Sequence, residues 1–205
     1  MASSFPGSID NFTDPLSNSA LSSPSHAGQH SDLNDAVEKI ETYMGLVRIV
    51  AAGSFSAAAT VNVDSIFSAN YDLYRIVWVE TDSTSAAETR IQFRTSGATN
   101  TTSNYTHQNS FFTTATTSVR NTVATTYSLL TQNVGANGWS FEINLANPYS
   151  NTRVTTGWMS GTVDTGSLFF NGSLAFGATT RFDGVSIFRS SGTMTGQYYV
   201  YGYRN

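Results

Sequence analysis

The chain has 205 residues, no cysteine and a net charge of −4, with 12% of its residues charged and 40% hydrophobic. That length suits one sizeable domain with an appendage, and the acidic balance leaves no basic stripe for nucleic acid and no polybasic patch for a membrane surface. Without cysteine there are neither disulfides nor thiolate chemistry, and with Lys39 as the single lysine the surface must be covered by Ser, Thr, Asn and Gly, a composition suited to strands and turns.

No stretch approaches the roughly 18 apolar residues of a membrane span, and Met1–Pro6 lacks a basic region followed by an apolar core, so neither membrane insertion nor a signal peptide is expected. The sequons at Asn100, Asn104 and Asn171 then read as products of an Asn- and Thr-rich composition.

Residues 1–30 carry Pro6, Pro15 and Pro24 among Ser, Asn and Gly, with isolated apolar residues Phe5, Ile9, Phe12 and Leu16. This pattern predicts an extended arm with no regular element, its spaced apolar side chains acting as pegs for a partner's groove.

Residues 31–45 predict one short helix. Ser31 caps it, Asp32 and Asp35 sit where the helix dipole favours negative charge, Asp35 and Lys39 are four apart, and Gly45 ends it. Its apolar residues Leu33, Val37, Ile40, Met44 and then Val47 follow the alternating four- and three-residue spacing of a coiled-coil seam. A helix of roughly 13 residues is marginal alone in water, so this stripe must be buried, either on its own β-domain or against copies of itself. In the second case Val37 and Met44 take position a, Leu33, Ile40 and Val47 take d, and the β-branched side chains at d favour three or four strands over two.

From residue 46 to 205 the period changes to two, with turn signals at short spacing. Strands are expected at 46–55, 59–66, 73–81, 87–96, 104–113, 119–131, 138–146, 152–163, 167–176, 182–190 and 196–204. Turns are expected at Thr81–Thr84, Thr95–Ala98, Gly135–Gly138, Asn171-Gly172 and Ser191–Gly196. So many short strands with no second helix and no fixed repeat make the fold mostly β, an antiparallel sandwich resembling a jelly roll.

Chemistry-bearing patterns are sparse. His26 and His30 have no fixed ligand geometry, because Pro24 and Gly28 interrupt any helix between them, so no metal is expected. There is no GxSxG elbow, no phosphate-binding glycine loop, no HExxH and no recognisable catalytic carboxylate pair, so the chain is expected to be neither an enzyme nor a cofactor carrier. Aromatic residues make up 13% of the chain. Trp139, Tyr149 and Trp158 flank turn-like segments beside Asn147, Asn151 and Arg153, the ring-plus-polar combination that stacks on a sugar's apolar face. Trp139, Tyr149, Arg153 and Trp158 are therefore the candidate glycan residues, with core or subunit interface as the competing assignment. Trp78, alternating with Ile76, is expected in the core.

The runs Pro6–Pro15, Ser22–His26 and His30–Glu38 with the closing Gly45 resemble the N-terminal module of tailed-bacteriophage structural proteins, particularly fibre-like and decoration proteins. Tyr71–Ile76, Arg94–Gly97, Phe182–Ile187, Gly192–Gly196 and Val200–Asn205 resemble the β-sandwich heads of the same proteins. The resemblance implies a homotrimer: an arm at residues 1–30 anchored to a capsid, neck or tail protein, a three-helix stalk at 31–45, and a head at 46–205 on the virion surface. The shaft is shorter than in many such fibres. A compact decoration or cement protein that stabilises the capsid without a receptor is the alternative to a short fibre or spike whose head adsorbs to host-surface glycan.

Overall fold

The computed structural model describes residues 30, 33–37, 47–113, 115–134, 137–163 and 168–203. The chain divides into two units, the second running from Val47 to Tyr203. In the first, residues 33–37 are helical, inside the expected helix, and His30, one residue before the start expected at Ser31, is helical as well; Leu33 and Val37 are exposed and Ala36 is buried. The arm residues Phe5, Ile9, Phe12 and Leu16, and the seam residues Ile40 and Met44, lie outside the described residues. Val47 corrects the expected seam. It opens a β-strand and pairs with Tyr203, and an extended residue, rising about 3.3 Å against 1.5 Å in a helix, does not continue a heptad.

The second unit is built from strands β1 (Val47–Ala58), β2 (Thr60–Val63), β3 (Leu73–Ser83), β4 (Ala87–Thr95), β5 (Ala98–Thr99), β6 (Tyr105–Thr113), β7 (Thr117–Thr125), β8 (Ser128–Val134), β9 (Asn137–Ala146), β10 (Thr155–Val163), β11 (Leu168–Phe176), β12 (Gly184–Arg189) and β13 (Met194–Tyr203). They form an eight-stranded sheet in the order β1-β13-β3-β9-β10-β11-β6-β7 and a five-stranded sheet in the order β2-β12-β4-β5, with β8 also pairing β4. Every pairing is antiparallel. This is a β-sandwich.

Two-residue alternation explains the layering. In β3, Tyr74, Ile76 and Trp78 are buried while Arg75, Val77 and Val79 lie on the other face at intermediate exposure. In β9, Trp139, Phe141, Ile143 and Leu145 are all buried. Rings dominate the resulting core: Trp78 stacks on Phe55 at 4.4 Å and on Phe141 at 5.8 Å, and Trp139 on Phe141 at 4.3 Å. A second cluster joins Phe93, Tyr105, Phe176 and Phe182.

Polar groups also tie one sheet to the other. Glu80 of β3 faces Arg189 of β12, whose Nη1 donates to Glu80 Oε1 at 3.1 Å, while the Trp139 indole N–H donates to Glu80 Oε2 at 2.7 Å. Both charged side chains are fully shielded from solvent. The Tyr105 hydroxyl of β6 accepts the Phe93 N–H of β4 at 2.8 Å, and the Asn109 amide of β6 donates to the Leu129 carbonyl of β8 at 2.6 Å.

Three local expectations change. The turn expected at Thr81–Thr84 begins later, because β3 runs on through Thr81 and Asp82 to Ser83. The segment 119–131 is not one strand: β7 and β8 belong to different sheets, and the chain crosses between them at Thr126 and Tyr127. Ala124 takes the left-handed conformation (φ 56°) and the Thr125 hydroxyl donates to the Tyr127 carbonyl at 2.7 Å, so the bend is made without glycine or proline. Asn171-Gly172, expected as a turn, lies in the middle of β11. Gly172 is required there by space, since a Cβ would come within 2.0 Å of Asn109 Oδ1 and 2.7 Å of the Gln108 carbonyl. The turn at Ser96-Gly97 does form, with both residues at positive φ (51° and 78°), the geometry of a tight hairpin.

Two outcomes follow from this packing. Gly172→Ala forces Asn109 off the Leu129 carbonyl and is expected to cost about 1–3 kcal/mol, read by denaturant unfolding; a cost under a few tenths would contradict the close approach. The second concerns pH. Burial pushes the Glu80 carboxyl up to about 7, against the opposing influence of Arg189 and the Trp139 N–H. A carboxyl that binds its proton more tightly when folded contributes stability that is full below about pH 4.5 and is lost as pH rises through about 7. His107, which burial lowers from its ordinary 6.5, slopes the opposite way, contributing fully above that value and losing as pH falls. The difference between the melting curves of the protein and Glu80→Gln isolates Glu80. The unaltered protein should lose stability relative to the variant between about pH 4.5 and 7, and a pH-independent difference would refute the assignment.

Candidate functional site

Met159 of β10 is buried at 1% exposure, so its neighbour Trp158 leaves the strand on the opposite side, the outer face of the eight-stranded sheet, with 52% of its surface open. The strand register then sets what lies beside it. Running across the sheet, Tyr201 pairs with Arg75, Arg75 with Asn144, Asn144 with Trp158, Trp158 with Ser173, Ser173 with Gln108, and Gln108 with Asn121. One tryptophan thus stands in a line of polar side chains drawn from β13, β3, β9, β10, β11, β6 and β7, of which Ser173 and Gln108 are exposed, Tyr201 and Arg75 half-buried, and Asn144 covered by its neighbours at 7% exposure. The adjacent outward row runs Tyr199, Val77, Glu142, Ser160, Asn171 and Ser110.

The charges in these two rows cancel. Arg75 and Glu142 form an ion pair through Arg75 Nη2 and Glu142 Oε2. Hydrogen bonding to the Tyr203 hydroxyl, and then to Glu142, raises the Arg75 guanidinium further above its ordinary value, outweighing partial burial. The face is therefore a neutral, amide- and hydroxyl-rich platform carrying one exposed indole. Such a surface can stack on an apolar ring face and bind hydroxyls around it.

The four sequence-predicted glycan residues do not gather at one place. Trp139 is withdrawn from the set: it is 1% exposed, stacked on Phe141 and bonded to Glu80 inside the sandwich. Tyr149, in the loop between β9 and β10, packs against the core on one side, and the Arg181 guanidinium lies 4.9 Å from its ring centre. It borders a cleft of about 400 Å³ with Tyr71, Asp72 and Asn147. With Arg181 over its ring, Tyr149 has no open face for stacking. Arg153 is exposed in the same loop, its backbone N–H donating to Ser150 Oγ at 3.0 Å. Trp158 alone keeps the exposure that stacking needs.

Arg75, Glu142, Asn144, Ser173 and Gln108 are not singled out by sequence. The outward parity of Glu142 and Asn144 is legible from Trp139-Ser-Phe-Glu-Ile-Asn-Leu145, but their placement beside Trp158 depends on strand register, which has no local signal. Elsewhere on this face Phe112 and Phe169 pair at 6.0 Å, both exposed, in a row that continues through Thr162. Among the described residues no cluster of three or more His, Asp or Glu side chains is arranged to hold a metal, and no helix is long and apolar enough to cross a membrane.

The two tryptophans should separate in stability. Trp139→Ala opens a cavity and removes the indole donor from Glu80 Oε2, an expected loss of about 3–5 kcal/mol, whereas Trp158→Ala should stay within about 0.5 kcal/mol. Equal losses in thermal or denaturant unfolding would contradict their placement on opposite faces.

No protein-family model matches the sequence, and no curated protein is similar to it. Among solved structures, the galectin LEC-6 of Caenorhabditis elegans aligns with 76% of this chain and 96% of its own, at 9% identity and a TM-score of 0.32, too low to support any statement about this chain.

Proposed function

We propose that this chain is a non-enzymatic structural protein of a tailed-bacteriophage virion, a trimeric short fibre or spike held by residues 1–30, with a jelly-roll-like head that adsorbs to host-surface glycan. The N-terminal resemblance supports the virion assignment. The observation that carries the adsorption role is Trp158, half exposed in the centre of a sheet and flanked in register by Asn144 and Ser173. An isolated indole on a polar surface gains little for folding, whereas three heads about one axis multiply a weak sugar contact into firm attachment. The exposed Leu33 and Val37 agree with a seam that is completed only by other copies.

The alternative, a capsid cement protein, draws on a different feature. Phe112, Phe169, Val119 and Val123 are exposed around β6, β7 and β11, and β7 ends its sheet. An apolar corner beside a sheet edge suits docking onto another protein.

Sedimentation and particle incorporation test the proposal together. The full chain should sediment as a trimer at micromolar concentration, and deletion of residues 1–30 should leave a folded trimer that no longer enters particles. A monomer, or normal incorporation of the truncated chain, would refute it. Particles without the head should adsorb poorly but resist heat normally; normal adsorption with earlier heat rupture would install the cement reading instead.

A further inference from the structure

We propose that the row through Trp158 is a binding site for a neutral oligosaccharide that lies across the strands, with one sugar ring stacked on the indole. This rests on the reading that the head contacts glycan, and adds where the sugar sits, in which direction it runs and which chemical class it belongs to.

Direction comes from the register. Across the strands, Trp158 is flanked by Asn144 and Arg75 on one side and by Ser173 and Gln108 on the other. Along β10 the other outward positions are Thr156, Ser160 and Thr162, short hydroxyls of limited reach. A sugar chain therefore finds amide and guanidinium partners only by crossing strands. Arg75 to Gln108 spans four strand spacings, about 19 Å, room for several rings.

Class comes from charge. Arg75 and Glu142 are the charged members of the two rows, and they are paired with each other. A sialylated, uronic or phosphorylated ligand would bring its anion to a carboxylate as well as to a guanidinium, with no net attraction. A neutral sugar instead meets an acceptor and a donor of fixed orientation, the pair that recognises adjacent hydroxyls, each acting as donor to one and acceptor to the other. A protein partner fits this face less well. The exposed phenylalanines stand in the Thr162–Phe169–Phe112 row, four residues along the strands from Trp158 and about 13 Å away, and the apolar residues diagonal to the indole are the small Ala146 and Ala175. With Trp158 the one ring more than half open on this face, Tyr199 and Tyr201 being half-buried, each site should bind at about millimolar strength and depend on multivalency.

The test is an array of neutral hexose and N-acetylhexosamine oligosaccharides beside sialylated, uronic and phosphorylated ones, probed with the full-length chain. The unaltered protein should bind neutral members, with binding reduced at least tenfold in Trp158→Ala and lowered in Gln108→Ala, and retained in part by Trp158→Phe. Melting temperatures of the Trp158 variants should stay within a few degrees of the parent. Binding confined to acidic glycans, or neutral binding that survives Trp158→Ala, would overturn this proposal while leaving a glycan-binding head intact. Absence of binding on every arm of the array would overturn both.

Discussion

A β-strand sends successive side chains to opposite faces, and in β10 that constraint separates what holds the sandwich together from what it presents to solvent. Met159 goes inward to the core, so Trp158 and Ser160 go outward. The inward neighbours of Met159 are Gly157 and Gly161, and neither has room for more. A Cβ on Gly161 would stand 2.6 Å from the Phe170 ring, and one on Gly157 would stand 2.9 Å from Leu145 Cδ2. Large side chains of β9 and β11 fill the space under β10, and the only bulky ring that β10 carries is left on the outside. The exposure of Trp158 is thus a consequence of how its neighbouring strands fill the core.

The interior contains a small number of expensive polar groups, placed where they join the sheets. Glu80 and Arg189 are removed from water, and the Trp139 N–H together with the Thr89 hydroxyl, 3.4 Å from Arg189 Nη1, supplies part of the lost hydration. Arg189 Nε remains buried without a partner, so the pair is not fully compensated. Buried ion pairs of this kind seldom add net stability over apolar replacements, and their value lies in fixing one arrangement of two otherwise slippery apolar surfaces. Here the pair fixes β3 against β12. In a chain so poor in charge, enclosing two charges at one inter-sheet contact is a strong constraint on how the sheets align.

Much of this architecture can be read from sequence because period-two alternation is a local signal. Trp139-Ser-Phe-Glu-Ile-Asn-Leu145 states its own core face, and strict alternation along it places Trp139 inside. β10 is less legible, since Gly157 and Gly161 occupy inward positions where apolar side chains would mark the pattern. The bend at Ala124–Tyr127 carries no glycine or proline, so β7 and β8 look like one run; Asn171-Gly172 carries a turn signature but serves the packing of Asn109. The line of side chains around Trp158 draws on seven strands, of which β9, β10 and β11 follow one another in the chain while β3, β6, β7 and β13 come from far along it. Its existence depends on register between distant strands, which becomes visible only once the sheet is assembled.

That line is the centre of the functional account, and an intact particle is where it can be seen directly. On the proposed virion assignment, a density map of a particle that incorporates this chain, at a resolution that follows β10, tests which surface of the head is free. The account predicts three heads around one axis, each with Trp158, Arg75, Ser173 and Gln108 open to solvent. Trp158 packed against a capsid protein or a neighbouring head would contradict it.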